Sequence, residues 1–144
     1  MRDRFNLDRF VSAQEAVFPQ VLDELHAGAK RTHWIWFIFP QMKGLGHSPQ
    51  ASYFGIGSLE EAVAYLRHPV LGPRLGRCTR LVTLVEGRTI REILGSPDDL
   101  KFRSSMTLFA RAAVDAEIAP TDFNDALQKY FNGEADSLTL ALLR

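Results

Sequence analysis

Residues 31–41 read RTHWIWFIFPQ and place two tryptophans, two phenylalanines and two isoleucines in six consecutive positions. Alternation puts Trp34, Trp36 and Ile38 on one side and Ile35, Phe37 and Phe39 on the other, the pattern of a strand buried on both faces. A strand needs a partner, however. The other apolar run, Leu81 to Val85, belongs to a helical stripe of Leu71, Leu75, Cys78, Val82 and Val85. The segment is therefore expected to form a short buried helix or an extended core piece, ended by Pro40. Burying each large aromatic contributes roughly 1.5–3 kcal/mol, so these rings are expected to be the central hydrophobic support of an all-α fold.

The flanking sequence is also helical in pattern. Leu7, Phe10, Gln14, Val17, Val21 and Leu25 line one stripe, interrupted at Pro19, where a kink or two short helices meeting near Phe18 are expected. Ser58 with Glu61, and Thr89 with Glu92, match the capping box and predict helix starts. Phe102, Met106, Phe109 and Ala113 form another stripe. Phe123, Leu127, Tyr130 and Phe131 form the next, closed by Gly133, and Asp136 is placed to cap a last helix over 137–143. The expectation is one compact domain over 1–144, a bundle of about seven short helices around an aromatic core. Residues 40–58, with four glycines and two prolines, read as a long irregular loop, and such loops are more often functional than idle.

Several strings support a family resemblance: HWIWFIFPQMKGLGHS (33–48), YFGI (53–56), EEAVAYLRHPVLGPRL (60–75), DDLKFRSSMTLF (98–109) and LQKYFNGEADSLT (127–139). In order, and across nearly the whole chain, they resemble the family known as domain of unknown function 1810. The resemblance implies a compact all-α domain standing alone, and it brings no established reaction with it. The name calpastatin, sometimes attached to such proteins, does not suit an ordered, aromatic-rich chain.

Composition excludes several function classes. The single cysteine, Cys78, allows no internal disulfide or thiolate cluster, and the N-terminus lacks the apolar core of a signal peptide. The aromatic run is far shorter than the roughly 20 residues a membrane span needs. A cytoplasmic protein without membrane or nucleic-acid partners is expected, its oligomeric state left open. Net charge is zero but uneven: residues 27–56 carry +3 with no acid, 67–91 carry +5, and 92–144 carry −4. The basic segments could form an anion-attracting face but are too dilute for a nucleic-acid tract. His26, His47 and His68 show no metal spacing, so no metal or cofactor is expected. P-loop, dinucleotide-binding and nucleophile-elbow motifs are absent, and the glycines at 44 and 46 lack the context of a phosphate loop.

Candidate chemistry rests on polar residues that interrupt apolar patterns, because a buried polar group without a partner costs roughly 1–3 kcal/mol. Gln14 interrupts the first stripe, and His33 and Gln41 bracket the aromatic run. In the helix after Pro97, Lys101 and Ser105 share a face, while Ser104, Thr107 and Arg111 fall on the side away from the rings. Asp98 and Asp99 open that helix, whose free N–H groups beside Lys101 could take an anion. Gln14, His33, Trp34, Trp36, Gln41, Asp98, Lys101, Ser104, Ser105 and Thr107 are thus the candidate ligand-binding residues, with His33 the candidate general acid or base. Each has a structural alternative: core packing for the tryptophans, capping for the histidine, bonds to the preceding turn for the hydroxyls. The expected function is binding, or hydrolysis, of a small anionic nucleotide-like metabolite. A protein-interaction module docking a partner through residues 34–57 is the alternative.

Overall fold

A computed structural model describes residues 3–144 and contains ten helices among them. They are α1 (Asp8–Glu15), α2 (Phe18–His26), α3 (Ile35–Ile38), α4 (Pro49–Phe54), α5 (Leu59–Arg67), α6 (Leu71–Leu84), α7 (Ile90–Leu94), α8 (Asp98–Asp115), α9 (Thr121–Phe131) and α10 (Ser137–Leu142). The only pairing of strand type among the described residues is an isolated parallel bridge between Met42 and Ile56. The longest helix, α8, runs through the centre, packed on α5 and α9 with α7, α10 and α3 around it. Its rings join two aromatic chains: Phe102 stacks edge-on against Phe39 at 4.8 Å, and Phe109 lies between Tyr65 at 5.2 Å and Phe123 at 6.0 Å.

The first stripe splits where proline requires it, with Pro19 in the first turn of α2, where its missing N–H costs nothing. Thr89 and Glu92 form the full capping box of α7, with bonds of 3.1 and 2.9 Å in the two directions. Ser58 caps α5 by accepting from Glu61 N at 3.1 Å, but the reciprocal half is missing, because the Glu61 carboxylate is engaged by Gly57 N and Arg9 instead. Asp136 caps α10 through Thr139 N at 3.0 Å.

Two expectations are corrected. The helices number ten rather than about seven, and residues 40–58 are not an irregular loop. Ser48 accepts from Ala51 N at 3.1 Å and Pro49 occupies the first turn, so α4 forms inside the segment. Lys43 N and Ile56 N then donate to Ile56 O and Gln41 O, closing residues 41–56 into a bridged loop whose Ile56 is fully buried. Gly55 is needed there because a Cβ would come within 2.8 Å of Ala51 O and of Lys43 Cα. The glycines therefore serve close backbone approach as well as turning.

Cys78 is fully buried in the α6 stripe, and burial pushes its thiol up to about 12. A thiol so placed is inert because the thiolate is the reacting form. Native protein is expected to resist a maleimide or disulfide reagent over minutes, and to react only when denatured. Rapid labelling of the native chain would contradict the placement.

Candidate functional site

The opening segment forms α3, a buried single turn held at both ends by polar side chains from α1 and α2. At its start, the Glu24 carboxylate accepts from Arg31 N at 2.6 Å, Thr32 N at 3.0 Å, Thr32 Oγ1 at 2.6 Å, Trp34 Nε1 at 3.0 Å and Gln20 Nε2 at 2.9 Å. Burial pushes this carboxyl up, but the donors from Thr32, Arg31 and Gln20 outweigh it and lower the pKa to about 2. At its end, Gln14 Nε2 donates to Phe37 O at 2.7 Å and to Tyr65 Oη at 3.3 Å, while its oxygen accepts from Arg74 Nη1 at 3.3 Å. Gln14 is thus a buried strut whose amide is already engaged. Trp34, 1% exposed, is core, with its indole N–H given to Glu24.

His33 is exposed, makes no hydrogen bond among the described residues and lines none of the grooves described below. The sharp turn that anchors Trp34 on Glu24 projects the histidine outward. Ser105 is fully buried in α8 with no partner for its hydroxyl. Ser104 and Thr107 are buried because α10 covers the side of α8 that the stripe left free. Ser104 Oγ donates to Leu100 O and Asp136 Oδ2, each at 3.2 Å, and Thr107 Oγ1 accepts from Asp136 N at 2.9 Å. These hydroxyls dock the cap of α10. Asp98 is held by Lys30 Nζ at 2.8 Å, so the start of α8 already carries its own ion pair.

The remaining candidates do come together. Trp36, partly exposed, presents its ring to Lys101 Nζ, 5.2 Å from the centroid. Trp36 and Gln41 share a small cavity with Ala51, Phe54 and Gly55, of about 10 Å³, roughly the size of a single water. On the other side of Gln41 a groove of about 330 Å³ opens between the bridged loop and the first turns of α8 and α10. Gln41, Lys101, Arg103, Ser104 and Asp136 supply its polar lining, with Arg103 already donating to Glu134 O and Ala135 O, and Leu45, Leu100 and Leu138 its apolar part. Leu100 and Leu138 are 57% and 65% exposed, so the rim is apolar and open. Lys101 meets an acid only at 3.8 Å, and that acid, Asp98, is already paired more closely with Lys30. Gln41 and Lys101 thus offer hydrogen-bonding capacity that the fold does not consume.

The leucines were missed because Leu45 lies in a loop and Leu100 and Leu138 lie in the first turns of α8 and α10, off the apolar stripes, although an apolar residue beside a helix start was a usable signal at Leu100. Among the described residues, no group of three or more His, Cys, Asp or Glu is placed to hold a metal ion and no helix is long and apolar enough to cross a membrane.

Comparison with known proteins agrees with this architecture. The family described as "Protein of unknown function (DUF1810)" matches residues 4–143. The crystal structure of the conserved hypothetical protein Rv1873 from Mycobacterium tuberculosis is similar at a TM-score of 0.92, with 57% sequence identity over 98% of each chain. No protein of curated function matches. The chain belongs to the DUF1810 family.

Proposed function

We propose that this member of the DUF1810 family binds a small anionic metabolite with an apolar body in the groove between the bridged loop and the starts of α8 and α10. The observation that carries this reading is Lys101: its ammonium lies over the Trp36 ring at the edge of a concave groove and lacks a close carboxylate. A cation held against an aromatic face and only partly compensated is a ready anion partner. Gln41 adds an amide, and Leu45, Leu100 and Leu138 offer apolar contact to the rest of the ligand. A groove of about 330 Å³ lies at the small end of ligand-sized sites.

Binding is favoured over hydrolysis. The proposed general base, His33, stands outside the groove, and Ser104 is engaged by Leu100 O and Asp136. Docking through residues 34–57 has less support, because Tyr53 is the one large hydrophobic of that segment among the well-exposed ones. The test is a thermal-shift screen against nucleotides, sugar phosphates and aryl phosphates, since a ligand that binds only the native state raises the melting temperature by mass action. For any compound that stabilises the parent, Lys101→Met is expected to weaken binding about tenfold, the effect of one charge-assisted contact. Gln41→Ala should weaken it less, and His33→Ala should leave it unchanged. Equal shifts for parent and Lys101→Met would refute the site.

A further inference from the structure

A second groove lies far along the chain from Lys101, where α5 passes into α6. Its volume is about 780 Å³, within the range that encloses a drug-sized molecule. Phe5, Leu59, Val63 and Ala64 give it an apolar floor, and all four are partly buried against the core. Arg67 and His68 stand next to each other on its rim.

The histidine is fixed by the chain itself. Its Nδ1 accepts from Val70 N at 3.1 Å and Leu71 N at 3.2 Å, which satisfies free donors at the start of α6 in the manner of a capping side chain. A ring nitrogen that accepts carries no proton, so the neutral ring holds its proton on Nε2 and has one donor left to offer. Arg67 spends one N–H on Ala116 O at 3.2 Å and forms no ion pair among the described residues. The two acids on the same groove each have a cation: Glu60 meets Arg4, which also lines the groove, at 3.3 Å, and Asp115 meets Arg111 at 3.9 Å.

We infer that this groove is a separate binding site for an amphiphilic monocarboxylate, with the carboxylate bridging the Arg67 guanidinium and His68 Nε2–H and the hydrocarbon part lying over Phe5, Val63 and Ala64. The planar guanidinium fork suits a carboxylate. Along the lining Arg4 and Arg67 are matched in number by Glu60 and Asp115, so one added negative charge is accommodated more readily than the two of a phosphate dianion. The apolar floor prefers a hydrocarbon tail to a sugar.

The experiment uses the full-length ¹⁵N-labelled chain titrated with sodium octanoate, octyl phosphate and 1-octanol. Octanoate is expected to shift the amides of Ala64, Arg67, His68 and Asp115 and to bind at least about tenfold more tightly than either analogue. Arg67→Met should cost about tenfold in octanoate affinity. His68→Asn should weaken binding while keeping the melting temperature, because an asparagine oxygen can take over the two backbone donors as a cap. If His68→Asn melts early, Arg67→Met decides alone. Lys101→Met should leave octanoate binding unchanged, which separates this site from the one under Proposed function. The inference is overturned if octanoate shifts no amide at the groove, if the shifts gather around Gln41 and Lys101, if octanol binds as well, or if Arg67→Met binds like the parent.

Discussion

Replacing Glu24 by alanine is expected to destabilise the protein by about 3–5 kcal/mol, because several donors lose their acceptor together and each buried one left unpaired costs roughly 1–3 kcal/mol. For a chain of this size that is a fall in melting temperature on the order of 10 °C or more. The carboxylate is 2% exposed and is the acceptor for two backbone N–H groups, a hydroxyl, an indole N–H and an amide. Alanine would leave Arg31 N, Thr32 N and Trp34 Nε1 facing a void. Without that anchor the turn at 31–33 has no reason to hold Trp34 in the core. Glu24→Gln keeps the shape and one oxygen, and the Thr32 hydroxyl and Gln20 amide can reverse their roles, so a smaller loss of about 1–3 kcal/mol is expected. Equal and small effects of both variants, measured by denaturant melts, would show the network to be ornamental.

The same residue sets an acid limit. Its pKa falls from an ordinary value of 4.5 to about 2 on folding, so the folded state holds the charged form more tightly than the unfolded one. Stability from this group is full above about pH 4.5 and is lost as pH drops towards 2, amounting to about 3 kcal/mol for a shift of this size. Stability curves between pH 6 and 2.5 should therefore slope less for Glu24→Gln than for the parent. A parallel pair of curves would contradict the assignment.

How far the sequence could be read follows from which forces repeat. Helical stripes were legible because burial repeats every three to four residues, and caps were legible because they need particular side chains at fixed spacing. Pro19 and Pro40 marked real boundaries. The bridged loop was not legible, because α4 has only six residues, too few to show a periodic stripe, and the Ser48 cap followed by Pro49 was its one readable signal. Candidate-site residues were chosen by a sound rule, that a polar residue in an apolar stripe must find a partner. The rule does not say which partner. Gln14 found a backbone carbonyl of α3, Ser104 and Thr107 found Asp136, Ser105 found no partner, and Gln41, Lys101 and Trp36 were left beside open space. Glu24 was overlooked though it sits between Val21 and Leu25, where an acid on a buried face was a signal of the same kind.

Arg9→Met is expected to cost about 3–5 kcal/mol, the range for removing one partner of a buried ion pair. Arg9 donates from Nε to Tyr53 O at 2.8 Å, from Nη1 to Phe5 O at 2.6 Å and Asn6 O at 2.8 Å, and from Nη2 to Gly55 O at 3.1 Å and Glu61 Oε2 at 2.7 Å. The five donors of the guanidinium match these five acceptors, and its face lies 4.3 Å from the Phe10 centroid. The side chain is 8% exposed and that of Glu61 9%, so deleting the cation leaves a buried carboxylate supported chiefly by Gly57 N. Lysine cannot replace the fork, because a single ammonium with three donors cannot span acceptors on the N-terminal segment, the end of α4 and α5 at once. Arg9→Lys should therefore recover little, whereas Arg9→Met combined with Glu61→Gln should recover part of the loss by removing the stranded charge. That recovery distinguishes an electrostatic role from mere packing of the arginine stem, and melting curves of the parent and the three variants measure it. Loss of Arg9 also frees residues 53–57, which hold the bridge from Ile56 to Gln41, so hydrogen exchange at Ile56 N should accelerate more than at core amides such as Phe109. If Ile56 keeps its protection in Arg9→Met, the bridge stands without the arginine and its role as the clasp of the loop is refuted.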